Sequence, residues 1–375
     1  MIRETKILMG IPSKKLKMGG PTTHLPFLVD YFNKNEQFKI RTFDYGSKVD
    51  GGSLVHQKEG HVRKVINTIQ VFIIFIYQIA TYRPQIVHIN TAFDRRSLLR
   101  DLPFSIFCYL FGQRLIFKLH GSSDLINTKS SVYRFLIRLF FVGAKKIGVL
   151  SEIEKTQFVL KFGNVHKLEV VKNIVNLNEV KRCTFFAKNT NKTYILFVSR
   201  IVKGKGLDDL IAALKIILEI NPAYILVVAG DGPELASSRR LAQDLLVDES
   251  IIWLGLIPHD EIASLIQSAD IFIFPSHFPE GMPMALVEAL RCGIPLITTR
   301  VRFALNYLIE NSNCLFIDAG NIDDISEKII VLVNDTLIQD KMRRQNPELV
   351  VRFSASAVGF EFQELYKQMI QTSQN

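Results

Sequence analysis

Residues 195–220 read ILFVSRIVKGKGLDDLIAALKIILEI. The opening apolar, β-prone run predicts a strand that Arg200 closes. Gly204 and Gly206 punctuate the loop that follows. Leu207, Leu210, Ile211, Leu214, Ile217 and Leu218 then recur every three or four residues, which predicts a helix with one apolar face. Strand, glycine loop and amphipathic helix in succession make the repeating element of an α/β sheet.

The element recurs on both sides. Toward the N-terminus, apolar runs at 6–11, 38–45, 86–90, 115–120, 146–151 and 168–173 are mostly separated by segments of helical length. Toward the C-terminus, runs at 194–199, 224–230, 251–255, 271–276, 295–299 and 314–318 repeat the design. Alternation of this kind predicts an α/β protein with two Rossmann-like, doubly wound parallel sheets. The polar, aperiodic stretch 176–192 is the expected joint, giving domains 1–178 and 179–356. A last helical segment, with Phe360, Phe362, Leu365, Tyr366 and Met369 near one face, is expected to cross back so that 357–375 joins the first domain. The most hydrophobic stretch, 65–80, is expected to be a buried helix: it contains Asn67, Gln70 and Gln78 and is short for a membrane span.

The 375 residues are 48% hydrophobic and 22% charged, as in a folded protein. Four scattered cysteines without a C-x-x-C pair point away from a disulfide framework or zinc site and toward a reducing compartment. The N-terminal apolar run is too short for a signal peptide. The net charge of +10 is uneven: residues 1–178 hold 27 Lys and Arg against 12 Asp and Glu, net +15, and the remainder is −5. A basic first half suggests an anionic surface as partner. In residues 92–114 and 131–146, arginines and lysines alternate with phenylalanines and tyrosines. That pattern suits a bilayer surface or, equally, core aromatics beside solvated cations. No nucleic-acid module accompanies the charge, so nucleic acid is not an expected partner.

Several positions fall at strand ends, the edge where open α/β sheets bind ligands. Arg200 and Lys205 suit the oxygens of a diphosphate, although loop charges are often merely solvated. No Walker A motif is present. Gly19-Gly20 follows the first strand and a run containing Lys14, Lys15 and Lys17; taken alone it reads equally as an ordinary turn. His120 ends the fourth strand, where a lone histidine is more often structural. In 280–295, EGMPMALVEALRCGIP, Glu280 sits on a loop. Pro283 is expected at a first helical position and Glu288 about two turns inside that helix, with Gly293 at its end. A helix N-terminus beside a loop carboxylate suits a ligand carrying both phosphate and sugar.

Taken together, the glycine pair, VSRIVKGKG, VVAGDGPE, SADIFIFPS and EGMPMALVEALRCGIP resemble, in this order, the retaining glycosyltransferases of family 4. The resemblance implies a GT-B fold, two Rossmann-like domains facing across a cleft, and a nucleotide-diphosphate sugar as donor. Under it, Glu280 takes hydroxyls of the donor sugar and Glu288 those of the ribose. Arg200 and Lys205 hold the diphosphate, with the backbones of Gly19, Gly20, Gly281, Met282 and Met284 nearby, and His120 lies beside the transferred sugar. The sequence departs from the family at Arg300-Val301-Arg302-Phe303, where a small glycine-containing loop is usual.

The implied reaction is sugar transfer with retention to a saccharide acceptor, lipid-linked, in bacterial surface polysaccharide or lipopolysaccharide synthesis. It is expected in the cytoplasm, peripheral at the inner face of the plasma membrane. With no D-x-D motif for Mg²⁺, metal independence is expected, and no cofactor beyond the donor substrate. The competing readings are a nucleotide-sugar epimerase or hydrolase of similar fold, and a non-catalytic GT-B binding scaffold.

Overall fold

A computed structural model describes residues 4–11, 20–45, 61–121, 123–163, 166–177 and 183–371. The chain divides into two compact units, Met1–Asn176 with Phe353–Asn375, and Leu177–Arg352.

In the first unit the order is β1 (Thr5–Ile11), α1 (Gly20–Asn33), β2 (Phe38–Asp44), α2 (His61–Tyr82), β3 (Ile86–Thr91), α3 (Arg95–Leu110), β4 (Arg114–Leu119), α4 (Ser123–Ile126), α5 (Ser131–Gly143), β5 (Lys146–Val149), α6 (Glu152–Phe162) and β6 (Leu168–Val170). The strands form one parallel sheet in the order β2-β1-β3-β4-β5-β6. All six residues of β3 are buried, the polar His88, Asn90 and Thr91 among them. One core, with Phe75, Phe104, Phe140 and Phe158, lies under α2, α3, α5 and α6. A second, with Leu28, Phe32, Phe362 and Tyr366, joins α1 to the C-terminal helix Ala355–Gln371. That helix buries Val358, Phe362, Leu365, Tyr366 and Met369; Phe360, expected on the same face, is 57% exposed.

The segment expected to be a buried helix is not one. α2 turns Val71, Phe75 and Tyr82 into the core, and Tyr82 Oη donates to the Lys39 carbonyl at 2.7 Å. Its other side, with Ile66, Ile69, Ile73, Ile76 and Tyr77, faces outward. The helix is apolar all round, and overall hydropathy alone does not reveal that only one of its two apolar faces meets the core.

A polar cluster sits inside this unit. His24 and His88 are fully buried, and His88 Nδ1 lies 2.6 Å from Tyr366 Oη. Burial, reinforced by the Lys118 cation, holds both imidazoles below their usual 6.5, His88 at about 3. Lys118, also fully buried with its ammonium on the Val171 carbonyl, is pushed down to about 7 by burial, against the pull of Glu154 and Glu361. Between its lowered folded pKa and 6.5, each histidine binds fewer protons folded than unfolded, so the stability the two histidines permit is full above about 6.5 and is lost as the pH falls. One unit below that value, two such groups withdraw about 3 kcal/mol. The thermal midpoint is therefore expected to fall between pH 7 and pH 5, and His88→Gln to flatten the fall. A midpoint constant over that range would contradict the assignment.

The second unit runs β7 (Thr193–Val198), α7 (Leu207–Ile220), β8 (Tyr224–Ala229), α8 (Leu235–Asp244), β9 (Ile251–Gly255), α9 (Ile262–Ser268), β10 (Ile271–Phe274), α10 (Met284–Cys292), β11 (Leu296–Thr299), α11 (Arg302–Tyr307), β12 (Leu315–Ile317), α12 (Ile322–Asn334) and α13 (Thr336–Val350). The remaining helix, Ala355–Gln371, is α14. Its sheet is parallel, in the order β12-β11-β10-β7-β8-β9. Asp270 braces it, one oxygen accepting from the Tyr194 amide at 2.8 Å and the other from Lys188 at 2.6 Å.

Candidate functional site

In the second sheet the strand order reverses between β7 and β10. Adjacent strands that lead to helices on opposite faces leave a crevice at their carboxyl ends, the usual ligand position in open α/β sheets. The loops leaving these two strands are tied together. The His277 amide donates to the Gly204 carbonyl at 2.9 Å. Gly206, with φ of +79°, opens α7 so close to the other loop that a Cβ there would stand 2.1 Å from the Pro275 carbonyl oxygen. Only glycine suits both the torsion and the approach.

This closeness brings together residues 75 apart in sequence. Lys205 Nζ donates to Glu280 Oε1 at 2.7 Å, and Ser276 Oγ donates to the same oxygen at 2.7 Å. Both ionic side chains are largely shielded, Lys205 at 17% and Glu280 at 19% exposure. The Lys205 ammonium also lies 5.8 Å from the Phe274 and Phe278 ring centroids, within cation–π range. Thr299 Oγ1 holds the Ser276 carbonyl at 2.7 Å. The Phe303 amide, in the first turn of α11, holds that of Glu280 at 3.1 Å. The 300–303 segment thus supports the Glu280 backbone, while Arg300 reaches away to Asp318 at 2.9 Å.

α10 starts beside Glu280. Pro283 is its N-cap, with φ −72° and ψ 114°, rather than the expected first helical residue. The cap has no N–H, so Met284, Ala285 and Leu286 supply the amides without intrahelical partners, a local positive end suited to an anion. Gly281 is half-buried and Met282 buried in the approach. Glu288 is the fifth helical residue, little more than one turn in rather than two; it is buried, and Arg291 Nη1 donates to its Oε2 at 3.0 Å. Arg200 makes no ion pair with Glu280. It is exposed after β7, and its guanidinium pairs with no carboxylate among the described residues. Ser276 went unnoticed in sequence because a serine after a strand carries no signal of its own.

The first unit places His120 at the carboxyl end of β4, next to β3. Asn90 Nδ2 donates to the Gly10 carbonyl at 3.0 Å, so its Oδ1 faces His120 Nε2, 3.1 Å away. His120 Nε2 therefore carries the proton and Nδ1 remains an acceptor, with no hydrogen-bond partner among the described residues. Burial first, then His24, Lys118 and His88, hold its pKa well below 6.5, so the ring is neutral. The His24 ring, 5.0 Å away between centroids, was not anticipated; nothing in its local sequence marks it. Gly20 is the first residue of α1. Gly19 and Lys14, Lys15 and Lys17 lie outside the described residues. Among the described residues, no three His, Cys, Asp or Glu side chains converge as for a metal.

A crevice edge with a shielded lysine, a hydrogen-bonded carboxylate and a helix N-terminus is equipped to hold an anion beside hydroxyls. Residues 184–348 match the family model described as glycosyl transferases group 1. An uncharacterized glycosyltransferase from Methanocaldococcus jannaschii is 25% identical over 364 residues, 94% of this chain and 95% of its own. A sucrose-phosphate synthase from Thermosynechococcus elongatus superposes with TM-score 0.79 at 17% identity, covering 98% of this chain and 100% of that one. The Anabaena protein HepE, solved with UDP-glucose, gives 0.74 at 17% identity, covering 97% and 100%. The fold is GT-B. The match to the group 1 glycosyl transferases covers residues 184–348 and falls within the second unit.

Proposed function

We propose that this glycosyltransferase moves a sugar from a nucleoside diphosphate sugar to a hydroxyl of a lipid-linked saccharide, with retention of anomeric configuration and without a metal ion. The observation that carries this reading is the 2.7 Å contact between Lys205 and Glu280 at the point where the sheet order reverses, with the α10 N-terminus alongside. UDP-glucose bound to HepE, of the same fold, supports a nucleotide sugar as the donor class.

In the reaction, the bond between anomeric carbon and phosphate oxygen breaks as the acceptor oxygen bonds that carbon from the same face. The acceptor proton passes to the departing phosphate oxygen. Lys205, Arg200 and the free amides of α10 stabilise the charge growing on the diphosphate. Glu280, fixed by Ser276, orients donor-sugar hydroxyls, and Glu288 holds those of the ribose. In the first unit, His120 Nδ1 is an acceptor with no hydrogen-bond partner among the described residues, chemically suited to a hydroxyl. Enzyme working at the cytoplasmic face of a membrane would meet both a soluble donor and a lipid-borne acceptor.

The test is proton NMR of the product formed from a nucleotide sugar, with and without a saccharide acceptor. Transfer that depends on acceptor and retains the anomeric configuration is expected. An inverted linkage would overturn the mechanism, and equal sugar release without acceptor would make the protein a hydrolase.

A further inference from the structure

The helices α2, α3 and α5 pack over one side of the first sheet, sharing the core of Phe75, Phe104 and Phe140. Their outer surface is apolar. On α2, Ile66, Ile69, Ile73 and Tyr77 recur at helical spacing and are 48%, 54%, 59% and 64% exposed. α3 adds Leu99, Ile106 and Leu110, and α5 adds Val132, Phe135 and Val142. Single exposed hydrophobics are ordinary, whereas a stripe continued over three neighbouring helices marks an interaction surface.

The charges beside it have one sign. The sequence has no Asp, Glu, His, Lys or Arg between Lys64 and Arg83, so cations bracket the apolar stretch at both ends. On α3 and α5, Arg95, Arg96, Arg134 and Arg138 are exposed among the apolar residues and pair with no carboxylate among the described residues. The one acidic residue in the three helices, Asp101, is fully buried against Tyr45 and Arg100. Long Lys and Arg side chains can lay their stems along apolar surface and keep their charges at its rim, an arrangement that suits headgroups above acyl chains. α2 has the length and composition to cross a bilayer, yet its inner face belongs to the protein core, so it lies along a surface rather than through it.

We propose that the outer face of α2, α3 and α5 docks the protein on an anionic lipid bilayer, the apolar stripe entering the headgroup layer and the arginines meeting lipid phosphates. This stands independently of the donor chemistry, which resides in the second unit.

The experiment is co-sedimentation of the purified full chain with vesicles of phosphatidylcholine, alone or mixed with phosphatidylglycerol, at low ionic strength and at about 1 M salt, where charge is screened beyond about 3 Å. Binding at least about tenfold stronger to the anionic vesicles at low salt is expected, since each cation near such a surface contributes about fivefold. Arg134→Glu with Arg138→Glu should remove most of that preference. Ile69→Glu with Ile73→Glu should cut binding by about tenfold or more while nucleotide-sugar binding and the thermal midpoint stay as in the parent. No sedimentation with anionic vesicles at low salt, equal binding to both vesicle types, or parental binding by the isoleucine variant would overturn the proposal. So would a lipid-free dimer that the isoleucine substitutions turn into monomer, since the face would then belong to a second copy.

Discussion

Lys205→Ala is expected to lower kcat/KM by about a hundredfold to a thousandfold, equivalent to about 3–4 kcal/mol of transition-state stabilisation. Two losses combine. In the proposed mechanism the departing diphosphate would lose a shielded cation that the loop already holds in place, and Glu280 loses one of the two donors on its Oε1, keeping only Ser276. Lys205→Arg keeps the charge but replaces a compact ammonium by a planar fork between two phenyl rings, so partial recovery is expected. Parental turnover in Lys205→Ala, measured with saturating acceptor, would remove Lys205 from the reaction.

Gly206→Ala is expected to unfold the same site from the backbone outward. Alanine at φ of +79° costs about 1 kcal/mol. Its Cβ, 2.1 Å from the Pro275 carbonyl oxygen, would also force apart the loops that carry Lys205 and Glu280. A total of about 3 kcal/mol would lower the midpoint of the second unit by about 6–12 °C. Activity should fall with it, because Lys205 is the adjoining residue. An unchanged midpoint by calorimetry would contradict the tight contact between the loops.

Much of this was legible in the sequence. All twelve apolar runs coincide with strands, most of them largely buried between helices on the two faces of a parallel sheet. Arg200 could be placed at a strand end, Lys205 and Glu280 on loops that follow strands, and Glu288 on its helix. What was not legible depends on contacts distant in sequence. That Lys205 bonds Glu280, and that Ser276 completes the pair, follows from two loops meeting at the sheet's reversal, which spacing does not encode. His24 beside His120 joins a helix to a strand end in the same way. α2 shows the opposite limit: its composition announced burial, but hydropathy counts apolar residues and not the surfaces available to cover them.

The most direct test of the central claim is calorimetric titration of UDP-glucose and other nucleotide sugars into the purified protein and its Lys205→Ala variant. The account predicts that one donor binds the parent and that the variant binds it at least about tenfold more weakly. Absence of binding by any nucleotide sugar, or equal affinity in the two proteins, would contradict a diphosphate held between Lys205 and the N-terminus of α10.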